Sequence, residues 1–237
     1  SFNLDLSFDE YKLFDKHIAT TIKKYVNTKC FDISEYCITE ILNNAKDHSR
    51  SKTVKLTFKI DNDNIFFSCQ DNGVGVFQNL KQALGFSETR ETMLELSKGK
   101  LTSDPANHTG EGLFFTCRAV DEFSLFANNF CFLRNNIIND WSFYEIKHGR
   151  GTKVDLTISR NTKKSLKNVF LAYQDDSSLQ FTKTDVIIEL AKEHGQRLIS
   201  RSQAKRVTAN LDKFTEITFD FKEIKIVGQG FVDQIFR

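Results

Sequence analysis

Glu40 and Asn44 stand four residues apart in Glu40-Ile41-Leu42-Asn43-Asn44-Ala45. That spacing brings two side chains to one face of a helix, while Ile41, Leu42 and Ala45 supply an apolar stripe. A carboxylate and an amide held side by side can activate a water and ligate a hard cation. Asp71-Asn72-Gly73-Val74-Gly75 follows a β-type run. Glycines there let the backbone turn tightly and approach a ligand, and Asp71 can accept a hydrogen bond from an exocyclic amine. Gly110-Glu111-Gly112-Leu113 opens a helical pattern, whose free backbone N–H groups and positive dipole end suit phosphates. Gly149-Arg150-Gly151-Thr152 enters another β-type run, where the Thr152 hydroxyl would face whatever lies on Asp71. Taken singly, each segment also reads as a solvated helix face, a turn or a hairpin.

The frame that must hold them is an ordinary globular one. The 237 residues are 40% hydrophobic and 27% charged, which excludes a disordered, collagenous or coiled-coil chain. The length suits one large domain or two unequal ones, and two is the expectation. No apolar run approaches the roughly 18 residues of a membrane span, and the first residues lack a basic-then-apolar leader, so the expectation is a cytoplasmic protein without a membrane partner. The five cysteines include no Cys-x-x-Cys pair, which argues against a thiolate zinc site or a disulfide framework and for reduced, buried thiols. The net charge of +2 implies no polyanion by itself; residues 160–237 carry +4 and the rest −2. Arg197, Arg201, Lys205 and Arg206 are the basic cluster of that half, and a charged helix face is the simpler reading than a nucleic-acid contact.

With a single proline, boundaries must come from glycine, polar clusters and hydrophobic period. A helix is predicted over Phe2 to Tyr25, from Tyr11, Phe14, Ile18, Ile22 and Tyr25 at spacings of three and four. A second opens near Asp32 or Ser34. Strands are predicted at Thr53 to Ile60 and Ile65 to Gln70, helical spacing over Phe77 to Lys98, and a short helix at Leu113 to Val120. Residues 99–112 form a connection longer than the ~4 to 6 residue median. β-Type runs then recur at Phe123 to Ala127, Phe130 to Leu133, Trp141 to Ile146 and Thr152 to Ile158. This order predicts an α+β architecture with helices on one face of a mixed or antiparallel sheet. Residues 160–178 are the expected linker. A small β/α module follows over 179–237, with strands at Asp185 to Leu190, Glu216 to Phe221 and Ile224 to Val227, and helices at Ser200 to Leu211 and from Gln229. Its pattern stops at Arg237 inside a helical period, as expected of a chain cut short or of an unusually short last helix.

Taken together, in this order and at these separations, the four polar segments resemble the N box, the two glycine boxes and the terminal Gly-Thr of the GHKL ATPase superfamily. The resemblance covers Phe8 to Ser159 and implies a two-layer α/β sandwich, the Bergerat fold, over residues 1–159. Glu-x-x-x-Asn-Ala-x-x-His, at Glu40, Asn44, Ala45 and His48, is most similar to the anti-sigma-factor ATPases. The resemblance implies ATP and Mg²⁺ as cofactors. Asn44 would hold Mg²⁺ to the phosphates and Glu40 would be the general base. Asp71 would bind the adenine amine with help from Thr152, Gly73 and Gly75 would shape the adenine pocket, and Gly110, Gly112 and Leu113 would meet the phosphates. Residues 99–109 would form a lid. Asp47 stands where many histidine kinases carry a basic phosphate contact, which departs from kinase-style handling of the terminal phosphate.

Leu198 to Arg206, then Thr218-Phe219-Asp220-Phe221 and Ile226 to Phe231, resemble the STAS-like domain of unknown function fused behind some GHKL ATPases. Phosphoacceptor STAS domains carry Ser or Thr before the last helix; here the loop is Gly228-Gln229-Gly230, so docking or sensing is expected in place of phosphate acceptance. The expected function is Mg²⁺-dependent ATP binding with slow hydrolysis, read out through the lid by the STAS-like module, a regulatory protein of STAS type or a second copy of the chain. The alternatives are a serine kinase acting in trans and a nucleotide-gated binding module without turnover. A sensor histidine kinase is not expected, because His17 is followed by Ile18-Ala19-Thr20 in place of an acid and a proline.

Overall fold

The computed structural model describes residues 1–104, 106, 108–147, 149–175, 177–191 and 197–236. It is a mixed α/β protein whose larger sheet is antiparallel throughout. β1 (Phe2–Asn3) precedes α1 (Glu10–Phe14), a π-turn over Asp15–Ala19, and α2 (Thr20–Ile22). α3 (Thr28–His48) leads to the hairpin of β2 (Thr53–Ile60) and β3 (Asn64–Asp71). α4 (Val76–Leu84), α5 (Thr89–Lys98) and α6 (Gly112–Ala119) follow, then β4 (Glu122–Ala127), β5 (Phe130–Asn135), β6 (Asp140–Glu145) and β7 (Thr152–Ser159). α7 (Leu166–Leu171), β8 (Lys183–Ile187), α8 (Arg201–Thr208), β9 (Glu216–Asp220) and α9 (Gln229–Ile235) complete the chain.

The sheet order is β1-β2-β3-β7-β4-β5-β6. Its register puts Ile65, Phe67 and Cys69 of β3 beside Ile158, Leu156 and Val154 of β7, all buried. Strand alternation thus aims one face at the helices, and α3 packs on β3, β7 and α6. The N-cap of α3 is Asn27, whose side chain accepts from Cys30 N at 2.8 Å and whose Nδ2 donates to the Thr162 carbonyl at 3.0 Å, tying the helix start to the end of the sheet.

The first helix is shorter than the period suggested. Phe2 pairs with Val54 in the sheet, and the helix begins only at Glu10, where Asp9 caps it by accepting from Lys12 N at 2.8 Å. Residues 77–98 form two helices, broken at Gly85, whose φ of 71° lies in the left-handed region. In the expected linker, α7 places Phe170 edge-on to Tyr36 and Phe115, with ring centroids at 5.4 and 4.8 Å.

In the C-terminal part β8 and β9 pair in parallel, and α8 packs on α9. The strand expected at Asp185 to Leu190 ends at Ile187 and passes into a 3-10 turn over Ile188–Ala191. The strand expected at Ile224 to Val227 does not form; Glu223 turns the chain with a φ of 64°, and Val227 makes a single parallel bridge to Leu198. Buried apolar side chains from both parts share one continuous cluster, in which Phe181 meets Phe114 at 4.5 Å.

Candidate functional site

Four stretches of chain singled out from the sequence converge on one open cleft. The wall from α3 presents Glu40, Asn43, Asn44 and His48, which are half-buried, with Ile41 and Ala45 at its edge, while Cys37, Ile38 and Leu42 pack inward. Helical period alone makes this division, since positions three and four apart share a face.

Asp71 ends β3. Continuing the alternation Ile65, Phe67, Cys69, it points to the buried face and is 5% exposed. Its Oδ1 accepts from Gly73 N at 2.7 Å and from Thr152 N at 3.3 Å. Thr152, the first residue of β7, accepts through Oγ1 from Val76 N at 3.0 Å, so the start of α4 is fastened beside it. Ile41, Cys69, Leu80, Leu125 and Val154 give this end of the cleft an apolar lining. An aspartate on an apolar floor suits a flat ring that carries an exocyclic donor.

α6 and the turn before it supply another part of the wall. Gly110, Glu111, Gly112 and Leu113 line the cleft. Gly112 packs so closely on the Glu40 carboxylate that a Cβ there would collide with it. The general base candidate therefore sits against the first turn of α6, where the free N–H groups of a helix start favour negative charge. Burial holds the Glu40 carboxyl above its ordinary range, with His108 pulling the other way. Burial likewise raises Glu111, opposed by Lys100.

Seven of the nine residues singled out from sequence line this cleft: Glu40, Asn44, Asp71, Gly110, Gly112, Leu113 and Thr152. Gly73 and Gly75 do not appear among its described lining residues. They shape the loop behind Asp71: Gly75 has a φ of 82° and abuts Asn128, which donates to the Val74 carbonyl and accepts from Gln78 N, both at 3.0 Å. Of the expected lid, Leu101, Thr102, Ser103, His108 and Thr109 line the cleft; Pro105 and Asn107 lie outside the described residues.

Sequence reasoning missed His108, Ser103 and Asn79. The His108 ring meets His48 at 4.6 Å, its Nε2 lies 3.4 Å from Asp47 Oδ2, and Ser103 Oγ lies 3.3 Å from His48 Nδ1. Burial and then His108 lower His48 below the ordinary histidine range, against Asp47 and Asp104. Asn79 Nδ2 donates to Ser103 Oγ at 3.3 Å. His48, named with Glu40 and Asn44 in the sequence pattern, repeats their spacing one turn on and lines the same wall; nothing local marks His108.

Arg201 and Lys205, two of the basic cluster, are exposed on α8. Among the described residues no helix is long and apolar enough to cross a membrane. All five cysteines are free and buried.

No curated protein matches the chain. One solved structure that matches is described as the crystal structure of the N-terminal domain of a DNA repair protein; it is 13% identical, covers 60% of this chain, and has a TM-score of 0.33. The chain spans 40% of the length of that structure, and at such a score the likeness supports no inference. A family model described as a STAS-like domain of unknown function (DUF4325) matches residues 203–237. The matched stretch runs from Gln203 in α8 through β9 and α9.

Proposed function

We propose that this protein binds ATP with Mg²⁺ in the cleft between α3 and α6, hydrolyses it slowly, and acts as a nucleotide-driven regulatory switch of the GHKL type, with residues 1–159 as the Bergerat-fold sandwich. The observation that carries the reading is the convergence on one cleft of Glu40 and Asn44, Asp71, Gly110 to Leu113, and Thr152, from four separated segments. Adenine would lie on the apolar floor, its amine donating to Asp71. The phosphates would run toward the N-terminus of α6.

The residues present fit a magnesium ion carried in by phosphates. Mg²⁺ keeps several waters and takes only one or two protein ligands in such sites. The Asn44 side-chain oxygen on the cleft wall is a ligand of that kind, and the bound ion would neutralise phosphate charge. Glu40, raised by burial, would take a proton from the attacking water as the water oxygen bonds to the terminal phosphorus. The bond to the bridging oxygen breaks, and ADP leaves with that electron pair. The first-turn N–H groups of α6 would receive the charge that develops on the phosphate oxygens.

A second reading is phosphotransfer in trans to a hydroxyl of another STAS-type protein, with Glu40 taking the hydroxyl proton. The STAS-like segment at 203–237 favours it as a docking element. Titration with ATP in Mg²⁺ and in chelator, with phosphate release followed on the same sample, tests the primary reading. Phosphate appearing on an added STAS protein in place of solution would favour the second.

A further inference from the structure

The most unusual group outside the cleft is Lys98, the last residue of α5, whose side chain is 1% exposed. A buried ammonium is tolerated only where several acceptors receive it. Lys98 Nζ donates to Glu95 Oε1 at 2.5 Å, to the Ala209 carbonyl at 2.8 Å and to the Arg206 carbonyl at 3.4 Å. The latter two belong to the C-terminal end of α8, the negative end of its dipole. Glu95 Oε2 accepts in turn from Asn210 Nδ2 at 3.0 Å, and the Lys98 carbonyl accepts from Thr184 Oγ1 at 2.6 Å. Two residues on, Lys100 Nζ donates to the Lys213 carbonyl at 3.0 Å and lies 5.0 Å over the Phe214 ring. These hydrogen-bond partners beyond α5 all come from the C-terminal part of the chain.

Leu101, Thr102 and Ser103, which line the cleft, leave directly from this clamped helix end. The wall of the cleft therefore starts from a point whose position is set by α8 and β8.

We propose that Lys98 is a positioning residue through which the C-terminal part fixes the Leu101–Ser103 wall, so that docking of that part and ligand binding in the cleft strengthen each other. The choice of ATP as ligand rests on the nucleotide reading above. Linkage makes the effect reciprocal: if docking tightens binding, binding tightens docking by the same factor. A residue that only held the fold together would lower the melting temperature and leave both affinities alone.

The test uses the full chain with ATP and Mg²⁺, following hydrogen exchange over 201–208 and 216–220 alongside nucleotide affinity. In the unsubstituted chain ATP is expected to slow exchange there about fivefold or more, the lower end of typical coupling. The double variant Lys98→Met with Glu95→Gln removes both buried charges, and Asn210→Ala removes one outer hydrogen bond. Both, when folded, are expected to bind ATP more weakly, about fivefold in the double variant, with the ATP-dependent protection lost in the double variant and reduced in Asn210→Ala. Should the double variant fail to fold, Asn210→Ala and the exchange of the unsubstituted chain decide the question. Unchanged affinity in the folded variants overturns the proposal, as does ATP binding by the unsubstituted chain without slower exchange over those segments. A chain that binds no ATP defeats the nucleotide reading itself, a separate failure seen before any variant is compared, and this coupling falls with it.

Discussion

The Glu40 carboxylate and the backbone of Gly112 are in direct contact, so the side chain proposed as the base and the first turn of α6 are built against each other. Only a residue without Cβ leaves the carboxylate where it is. Gly112→Ala is expected to displace Glu40 from the head of α6 and to lower turnover by about 10² or more, the order lost with a misplaced acid–base group. Steady-state phosphate release checks it, with circular dichroism to confirm the fold; a fully active Gly112→Ala protein would contradict the packing argument.

Glu40→Gln separates binding from chemistry. With the shape kept and the base removed, turnover should fall by about 10²–10⁴ while ATP affinity stays within a few-fold. The pH dependence has a definite sign. Burial raises the carboxyl in the folded protein, so if Glu40 is the base as proposed, phosphate release by the unsubstituted chain should fall on acidification earlier than with an ordinary carboxylate base. The same raised value means that Glu40 contributes stability only while protonated, an advantage lost as pH rises from the ordinary carboxylate range through the folded value. Glu40→Gln should therefore raise the melting temperature at neutral pH, and a lowered one would show that the ionised carboxylate is satisfied.

Asn27→Ala removes the cap of α3 together with the bond to the Thr162 carbonyl. A loss of about 1–2 kcal/mol in denaturant unfolding is expected, the upper range for an N-cap. Because α3 carries Glu40, Asn44 and His48, ATP affinity should weaken along with stability; an effect on neither would mean that the helix start frays in solution.

The thiols offer a check on the core. Burial pushes Cys30 and Cys131 up to about 11 and Cys69 to about 12. Thiolate is the reactive form, so a disulfide reagent at pH 8 should label the native chain slowly and all five cysteines at once in denaturant. Rapid native labelling of Cys69, which lines the cleft, would show that the cleft opens more widely than its walls suggest.

Much of this was readable from residue pattern alone, for local reasons. β2 runs over the residues its alternation marked, and the same period of two, carried from Ile65 to Asp71, put the aspartate on the buried face. The helical period was equally sound for Ile18 and Ile22, yet Tyr11 and Tyr25, counted in the same stripe, are 60% and 50% exposed. The stripe was extended back to Phe2, which instead completes the edge of the sheet, because local spacing carries no information about a strand partner fifty residues away. His108 and the Lys98 clamp were invisible for the same reason. A lone histidine in a polar loop and a lysine at a helix end look solvated until tertiary contacts bring Asp47 and His48 to the one and the Arg206 and Ala209 carbonyls to the other.

The most direct measurement is calorimetric titration of the chain with ATP in Mg²⁺ and in chelator, beside Asp71→Asn, with phosphate release assayed on the same samples. Mg²⁺-dependent binding and slow release by the unsubstituted chain, with binding lost by at least tenfold in Asp71→Asn, a loss of about 1.4 kcal/mol, is the expected result. Failure to bind ATP under either condition, or equal binding by Asp71→Asn, would contradict a nucleotide site built on Asp71.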